Sequence, residues 1–228
     1  MDSATESGNK LSIFDLDRTL TRLPTYSPYL LHAARTVAPW RLLLVPAAAA
    51  ATAAYKAGLI DRKRTKELMH QLLLGPRLSA EAHERATAPF LARLLAGGFR
   101  PAALEQLAAD RAEGRRLILA TAAPDHYAHR IAESLGMEAA LATKVRREGD
   151  QLTHRIDGDN YRGVAKLQAI EAWIAEQSLD RDQLHVRFYS DNLTDVPTFE
   201  WADEAIAVNP GAKLRRIARE RGWRTVAW

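Results

Sequence analysis

Residues 11–14, Leu-Ser-Ile-Phe, form a short apolar run that stops abruptly at Asp15 and Asp17, with Thr19 two residues further on. Runs of this kind fill parallel strands buried on both faces. From residue 21 to about 100 the pattern is helical, with almost no strand signal. Pro24 and Pro28 break the chain after the first strand, and Pro39, Gly58, Gly75-Pro76 and Gly97-Gly98 separate four expected helices over 29–37, 40–57, 61–74 and 79–95. Asp61 and Ser79 stand where N-caps belong.

From Pro101 helices and strands alternate. The pattern predicts a helix over 101–113, a strand over 116–120 ending at Thr121, and a helix over 125–135. A hairpin of strands 139–145 and 151–156 follows around the polar turn 146–150, then a helix over 162–176 carrying Lys166 near its start. Strands over 185–189 and 204–208, a helix over 212–220 and a closing segment over 223–228 complete the chain, with Ser190-Asp191 at the tip of the first of those strands. Alternation of this kind builds βα units. The expected fold class is α/β: a doubly wound, mostly parallel sheet, with an α-helical bundle inserted between the first strand and the rest.

Composition narrows the picture. The 228 residues, 47 % hydrophobic and 26 % charged, suit a globular core with a smaller insert. A net charge of +4 falls short of a nucleic-acid-binding signature, so no nucleic acid is expected, and it suits an anionic substrate or an anionic membrane surface equally. With no cysteine, disulfides, thiolate metal sites and a cysteine nucleophile are excluded. Residues 1–10 are polar and lack an apolar core, which argues against a secretory signal and for a cytoplasmic location. Residues 42–55 are charge-free and alanine-rich, interrupted by Pro46, and fall short of the roughly 20 apolar residues of a membrane span. A buried helix is the expectation there, with peripheral contact at the inner membrane as the alternative. Arg62, Lys63, Arg64 and Lys66 read as a solvated helix face, or as a surface apposed to anionic lipid.

The end of the first strand carries the chemistry. Two carboxylates at the tip of a buried strand repel each other unless a cation or partner intervenes, and ligands of open α/β sheets bind at that edge. A bare D-x-D is also an ordinary polar turn. Thr121, Lys166 and the pair Asp191 and Asp195 stand at comparable strand ends or helix starts. Each alone is commonplace; the ordered combination is not.

The Asp15-Leu16-Asp17-Arg18-Thr19 loop, the strand ending at Thr121, Gly163-Val164-Ala165-Lys166 and Ser190-Asp191 through Asp195 stand in the order of the four motifs of the haloacid dehalogenase superfamily of phosphatases and phosphotransferases, which the chain resembles over almost its whole length. The resemblance implies a Rossmann-like core of residues 1–22 and 101–228 and a helical cap of residues 23–100. It implies a phosphoric monoester hydrolase in which Asp15 attacks phosphorus to form an aspartyl phosphate and Asp17 moves protons. Thr121 and Lys166 would hold the phosphoryl oxygens. Asp15, the backbone carbonyl of Asp17, and Asp191 would hold a cation; a set of oxygen ligands favours Mg²⁺. Thr19, Asn192 and Asp195 would support the site.

The insert looks like that of the phosphoserine-phosphatase-like branch, and the wording of residues 14–20 looks closest to phosphatidylglycerophosphatase-like members. The expected partner is therefore a small phosphorylated substrate or a lipid phosphate. Two departures weaken phosphoserine: the fourth motif is not glycine-rich, and Arg18 stands where that branch often has a small residue. Arg18 would either bind an anionic head group or reach solvent. His126 and His129, on the helix after Thr121, read as surface or helix-cap residues. A catalytically silent protein retaining the fold is the alternative from another class, and the surviving carboxylates and lysine argue against it.

Overall fold

The computed structural model describes residues 9–228. Residues 1–8, and with them most of the segment relevant to a secretory signal and the start of the expected core, lie outside the described residues. The main sheet has six strands: β1 (Lys10–Phe14), β3 (Arg116–Pro124), β4 (Ala139–Thr143), β7 (His185–Ser190), β8 (Glu204–Val208) and β9 (Arg224–Val226). Their spatial order is β4-β3-β1-β7-β8-β9, and every pairing is parallel. β1 is central, which explains why its run is apolar on both faces. Leu11 and Ile13 point into one apolar cluster, and Phe14 points into the other, where it stacks on Tyr189 at 4.4 Å.

The Leu11/Ile13 face is covered by α7 (Val164–Glu176), α8 (Val196–Trp201) and α9 (Ala212–Arg221), through Ile170, Phe199 and Leu214. The Phe14 face is covered by α5 (Pro101–Ala112) and α6 (Asp125–Ser134), through Leu107 and Ile131. Helices on both faces make the sheet doubly wound, as expected. The second cluster continues into the helices inserted after β1, through Tyr29, Leu30 and Phe90.

Those inserted helices are α1 (Tyr26–Val37), α2 (Val45–Lys56), α3 (Arg62–Leu73) and α4 (Ala80–Gly97). Asp61 and Ser79 cap α3 and α4, accepting from Arg64 N at 2.6 Å and Ala82 N at 3.3 Å. Three expectations are corrected. Pro28 lies inside the first turn of α1, where its missing N–H has no intrahelical partner to lose. The helix expected from 40 to 57 is a 3₁₀ segment, Pro39–Leu44, followed by α2, with Pro46 in the opening turn that suits it. The strand expected from 139 to 145 divides at Lys144. Its first part joins the main sheet as β4, while β5 (Val145–Glu148) turns away to pair with β6 (Gln151–Ile156). β6 also pairs antiparallel with β2 (Arg77–Leu78), a strand too short for a periodicity to reveal. Among the described residues no helix is long and apolar enough to cross a membrane.

Candidate active site

β1 brings Asp15 to the carboxyl edge of the sheet, where its N–H donates to Tyr189 O at 2.9 Å. The neighbouring strand thus positions the carboxylate. Beyond it, Leu16–Leu20 close a wide turn in which Thr21 N donates to Leu16 O at 3.0 Å and Arg18 takes the left-handed φ of 64°. Lys166, in the first turn of α7, places Nζ 2.8 Å from Asp15 Oδ1 and 2.6 Å from Asp195 Oδ2. Gly163, which opens that helix at φ 62° and ψ −131°, occupies backbone space nearly closed to other residues. A Cβ there would lie 3.3 Å from Thr194 O, so α7 begins pressed against the loop that carries Asp195.

Hydrogen bonds tie the loops together. Ser190 Oγ donates to Asp195 Oδ2 at 2.8 Å. Thr19, fully buried, donates to Asp15 Oδ2 at 3.4 Å and accepts from Asp191 N at 2.9 Å. The Thr121 hydroxyl accepts from Ala123 N at 3.0 Å, beside an irregularity in β3 that lets the strand run on to Pro124. Asn192 Oδ1 accepts from Thr194 N at 3.1 Å. Asp17 has separate partners: its Oδ1 accepts from both the N–H and the hydroxyl of Thr25, each at 2.7 Å. The Thr25 proton being used there, Tyr127 donates to the Thr25 hydroxyl at 3.1 Å.

Asp15, Asp17, Thr121, Lys166, Asp191, Asn192 and Asp195 all line one cleft of about 400 Å³. Thr19 sits behind it. Four carboxylates thus face one buried ammonium. Burial pushes Asp15 up to about 7, against the pull of Lys166, and pushes Asp191 up to about 6, against Arg18. Burial also raises Asp17, opposed by the Thr25 hydrogen bonds. Burial disfavours the Lys166 ammonium, but Asp15 and Asp195 outweigh it and hold the charge. The excess of acid, with Asp195 Oδ1 buried and without a hydrogen-bond partner, fits a divalent cation. Among the described residues no three His, Asp or Glu side chains enclose a cation by themselves. A site completed by the Asp17 carbonyl and water is of a different kind.

Sequence reasoning missed several neighbours. Lys66 is not solvated: it is 5 % exposed, and its ammonium donates to Ala122 O and Asn160 Oδ1. Lys66, His70 and Leu73, spaced four and three apart, form the buried stripe of α3, a periodicity that could have shown it. Burial, with Arg62 nearby, brings Lys66 down to about 7. His126 is likewise buried, with Nδ1 3.1 Å from His83 Nε2, whereas His129 is exposed as expected. Thr25 and Tyr127 carried no motif signal.

An all-parallel sheet with acidic loops and a buried lysine at its carboxyl edge defines the haloacid dehalogenase-like class of hydrolases. The chain belongs to that family, whose model matches residues 13–200. Phosphoserine phosphatase SerB1 of Mycobacterium tuberculosis (strain H37Rv) is 36 % identical over 110 residues, 48 % of this chain and 35 % of that protein. A probable phosphatase of the same organism is 33 % identical over 121 residues, covering 53 % and 41 %. The matches therefore span well under half of those relatives' lengths. A protein of unknown function from Bordetella pertussis Tohama I superposes with a TM-score of 0.82 at 27 % identity, covering 96 % of this chain and 98 % of that one. A substrate-bound phosphoserine phosphatase shares the fold, with a TM-score of 0.62 at 19 % identity over 91 % and 90 % of the two chains.

Proposed function

We propose that this chain is a Mg²⁺-dependent phosphatase that hydrolyses a phosphate monoester through an aspartyl phosphate. The observation that carries this reading is the division of labour in the first loop: Lys166 and Thr19 hold Asp15, while Thr25 holds Asp17 in the same cleft. Two carboxylates with different partners can do different work. In the first step an Asp15 oxygen attacks phosphorus, the ester P–O bond breaks, and Asp17 gives its proton to the departing alkoxide. In the second step Asp17 takes a proton from a water that attacks phosphorus, releasing phosphate and restoring Asp15. Burial that raises Asp17 suits a group which must hold a proton at the start.

Lys166 and the Thr121 hydroxyl would position the phosphoryl oxygens. Asp15, the Asp17 carbonyl and Asp191 would hold Mg²⁺, which supplies charge neutralisation between two anions when bound. Asn192, Asp195 and Thr19 keep those loops in place. Residues 23–100 would act as a cap over the core of residues 1–22 and 101–228. The substrate is read as a small phosphorylated compound; Trp40 and Leu43, 59 % and 81 % exposed beside Arg41, favour a second reading in which a lipid phosphate is met at a membrane surface.

The deciding experiment is turnover of p-nitrophenyl phosphate with Mg²⁺. Wild-type protein should release phosphate, and Asp15→Asn should abolish release while retaining the native circular dichroism spectrum. Full activity of Asp15→Asn would refute the mechanism.

A further inference from the structure

The cleft carries charge of both signs. Its four carboxylates, Asp15, Asp17, Asp191 and Asp195, belong to the two loops that hold Lys166 or lie beside it. Arg18, Arg62 and Arg162 line the same cleft from three separate segments: the turn after β1, the first residue of α3, and the approach to α7. Among the described residues none of these three guanidinium groups forms a salt bridge, although Arg116, Arg130 and Arg187 elsewhere each pair with a glutamate.

Each of the three is placed by something other than a charge partner. Arg62 lies over the Tyr55 ring at 5.7 Å, and its Nε is buried with no hydrogen-bond partner. Arg162 donates through Nε to Thr194 Oγ1 at 2.9 Å. Arg18 is exposed and adopts φ 64°, a conformation glycine takes at no steric cost. Lys66 lies behind them, and Arg62 and Arg162 both act against its charge. Three guanidinium groups lining one cleft without a salt bridge repel one another, and an added anion relieves that repulsion. Three guanidinium groups in one cleft disfavour an ammonium beside them.

Resting on the phosphatase reading, we propose that the preferred substrate carries a second anionic group on its alcohol and no ammonium beside it, the second anion being received by Arg18, Arg62 and Arg162. The second anion is a carboxylate or a second phosphate. Both accept the planar, two-pronged hydrogen bonding of guanidinium. The cleft volume falls within the range of pockets that hold ligands larger than phosphate alone.

Four esters of similar size separate the possibilities: glycerol 3-phosphate, 3-phosphoglycerate, propane-1,3-diol bisphosphate and phosphoserine. Wild-type kcat/KM should be higher by roughly tenfold or more for 3-phosphoglycerate or the bisphosphate than for glycerol 3-phosphate, the effect of one charge-assisted contact. Whichever wins identifies the second anion. Phosphoserine, which matches 3-phosphoglycerate except for its ammonium, should be the poorer of that pair. Arg62→Ala and Arg162→Ala should each lower the preference for the second anion, and Arg18→Gly should lower it while raising Tm. Equal turnover of glycerol 3-phosphate, a preference for phosphoserine, or arginine variants that reduce every ester by one factor would overturn the proposal. If p-nitrophenyl phosphate and all four esters resist turnover, the phosphatase reading fails instead. Calorimetric binding to the full chain then decides the anion site alone: 3-phosphoglycerate or the bisphosphate binding tenfold tighter than glycerol 3-phosphate supports it, and equal binding overturns it.

Discussion

Lys166 places its Nζ 2.8 Å from Asp15 Oδ1 across 151 residues of chain, and both side chains are buried. Desolvation disfavours the ionised form of each, and the opposite charge of the other works against it. A second carboxylate, Asp195, shares the ammonium at 2.6 Å and is itself held by Ser190. One buried cation thereby joins the first loop of the sheet to the fourth, and the cleft exists because they meet.

Lys166→Met should therefore destabilise the protein by about 3–5 kcal/mol, the usual consequence of leaving a buried charge unpaired. Urea denaturation measures this. Adding Asp15→Asn to Lys166→Met should recover part of the loss; strictly additive effects would show that the two residues are not coupled.

Thr25→Val retains the backbone N–H to Asp17 and removes the hydroxyl. The loss of one hydrogen bond to a carboxylate, worth about 1.5–3 kcal/mol, should lower kcat by about tenfold or more if Asp17 moves the proton. KM for p-nitrophenyl phosphate should change little. A rise in KM at constant kcat would assign Thr25 to substrate binding instead.

Gly163→Ala tests the start of α7. The backbone conformation and the close approach of Thr194 O both oppose a Cβ, and about 1–3 kcal/mol of stability should be lost. Activity should fall with it, since the helix end carries Lys166. A variant with unchanged melting temperature and turnover would show that the loop yields freely.

Acid should loosen the contact between the inserted helices and the core. Burial takes His70 down to about 3, and His126 well below its ordinary value. The unfolded chain binds their protons near pH 6.5 and the folded chain does not, so stability is complete above about 7 and falls as pH drops below 6.5. For His70 alone the loss at pH 5 is about 2 kcal/mol relative to pH 7.5. Denaturation at the two pH values should show a smaller acid loss in His70→Phe than in the wild type. An identical loss would mean that His70 accepts a proton without unfolding.

Removal of divalent ions with EDTA should abolish turnover of p-nitrophenyl phosphate, and added Mg²⁺ should restore it. Mg²⁺ should also raise the melting temperature of the wild type by mass action on the folded state, and not that of Asp191→Asn. Undiminished turnover in EDTA would exclude the cation.

The strand ends were legible because a buried strand that finishes in carboxylates contradicts its own periodicity, as at Asp15 and Asp191. Caps at Asp61 and Ser79 were legible because they depend on bonds three residues away. The division of the strand at Lys144 was not, since nothing in a continuous apolar pattern says which sheet each half will join. Lys66 and His126 were misread because residue type outweighed position. Lysine is usually exposed and histidine often so, and only the tertiary structure supplies the partners that make burial tolerable: Ala122 and Asn160 for Lys66, His83 for His126.

The sequence by itself determined the parallel core, the order of its strands and helices along the chain, and the residues at the tips of its strands, because backbone periodicity and local hydrogen bonding act over a few residues. Only the tertiary structure decided the partners of those residues: Lys166 between two aspartates, Thr25 on Asp17, and three arginines in the same cleft. Those relationships depend on which loops the sheet order brings together, and that order is set by packing between segments far apart in the chain.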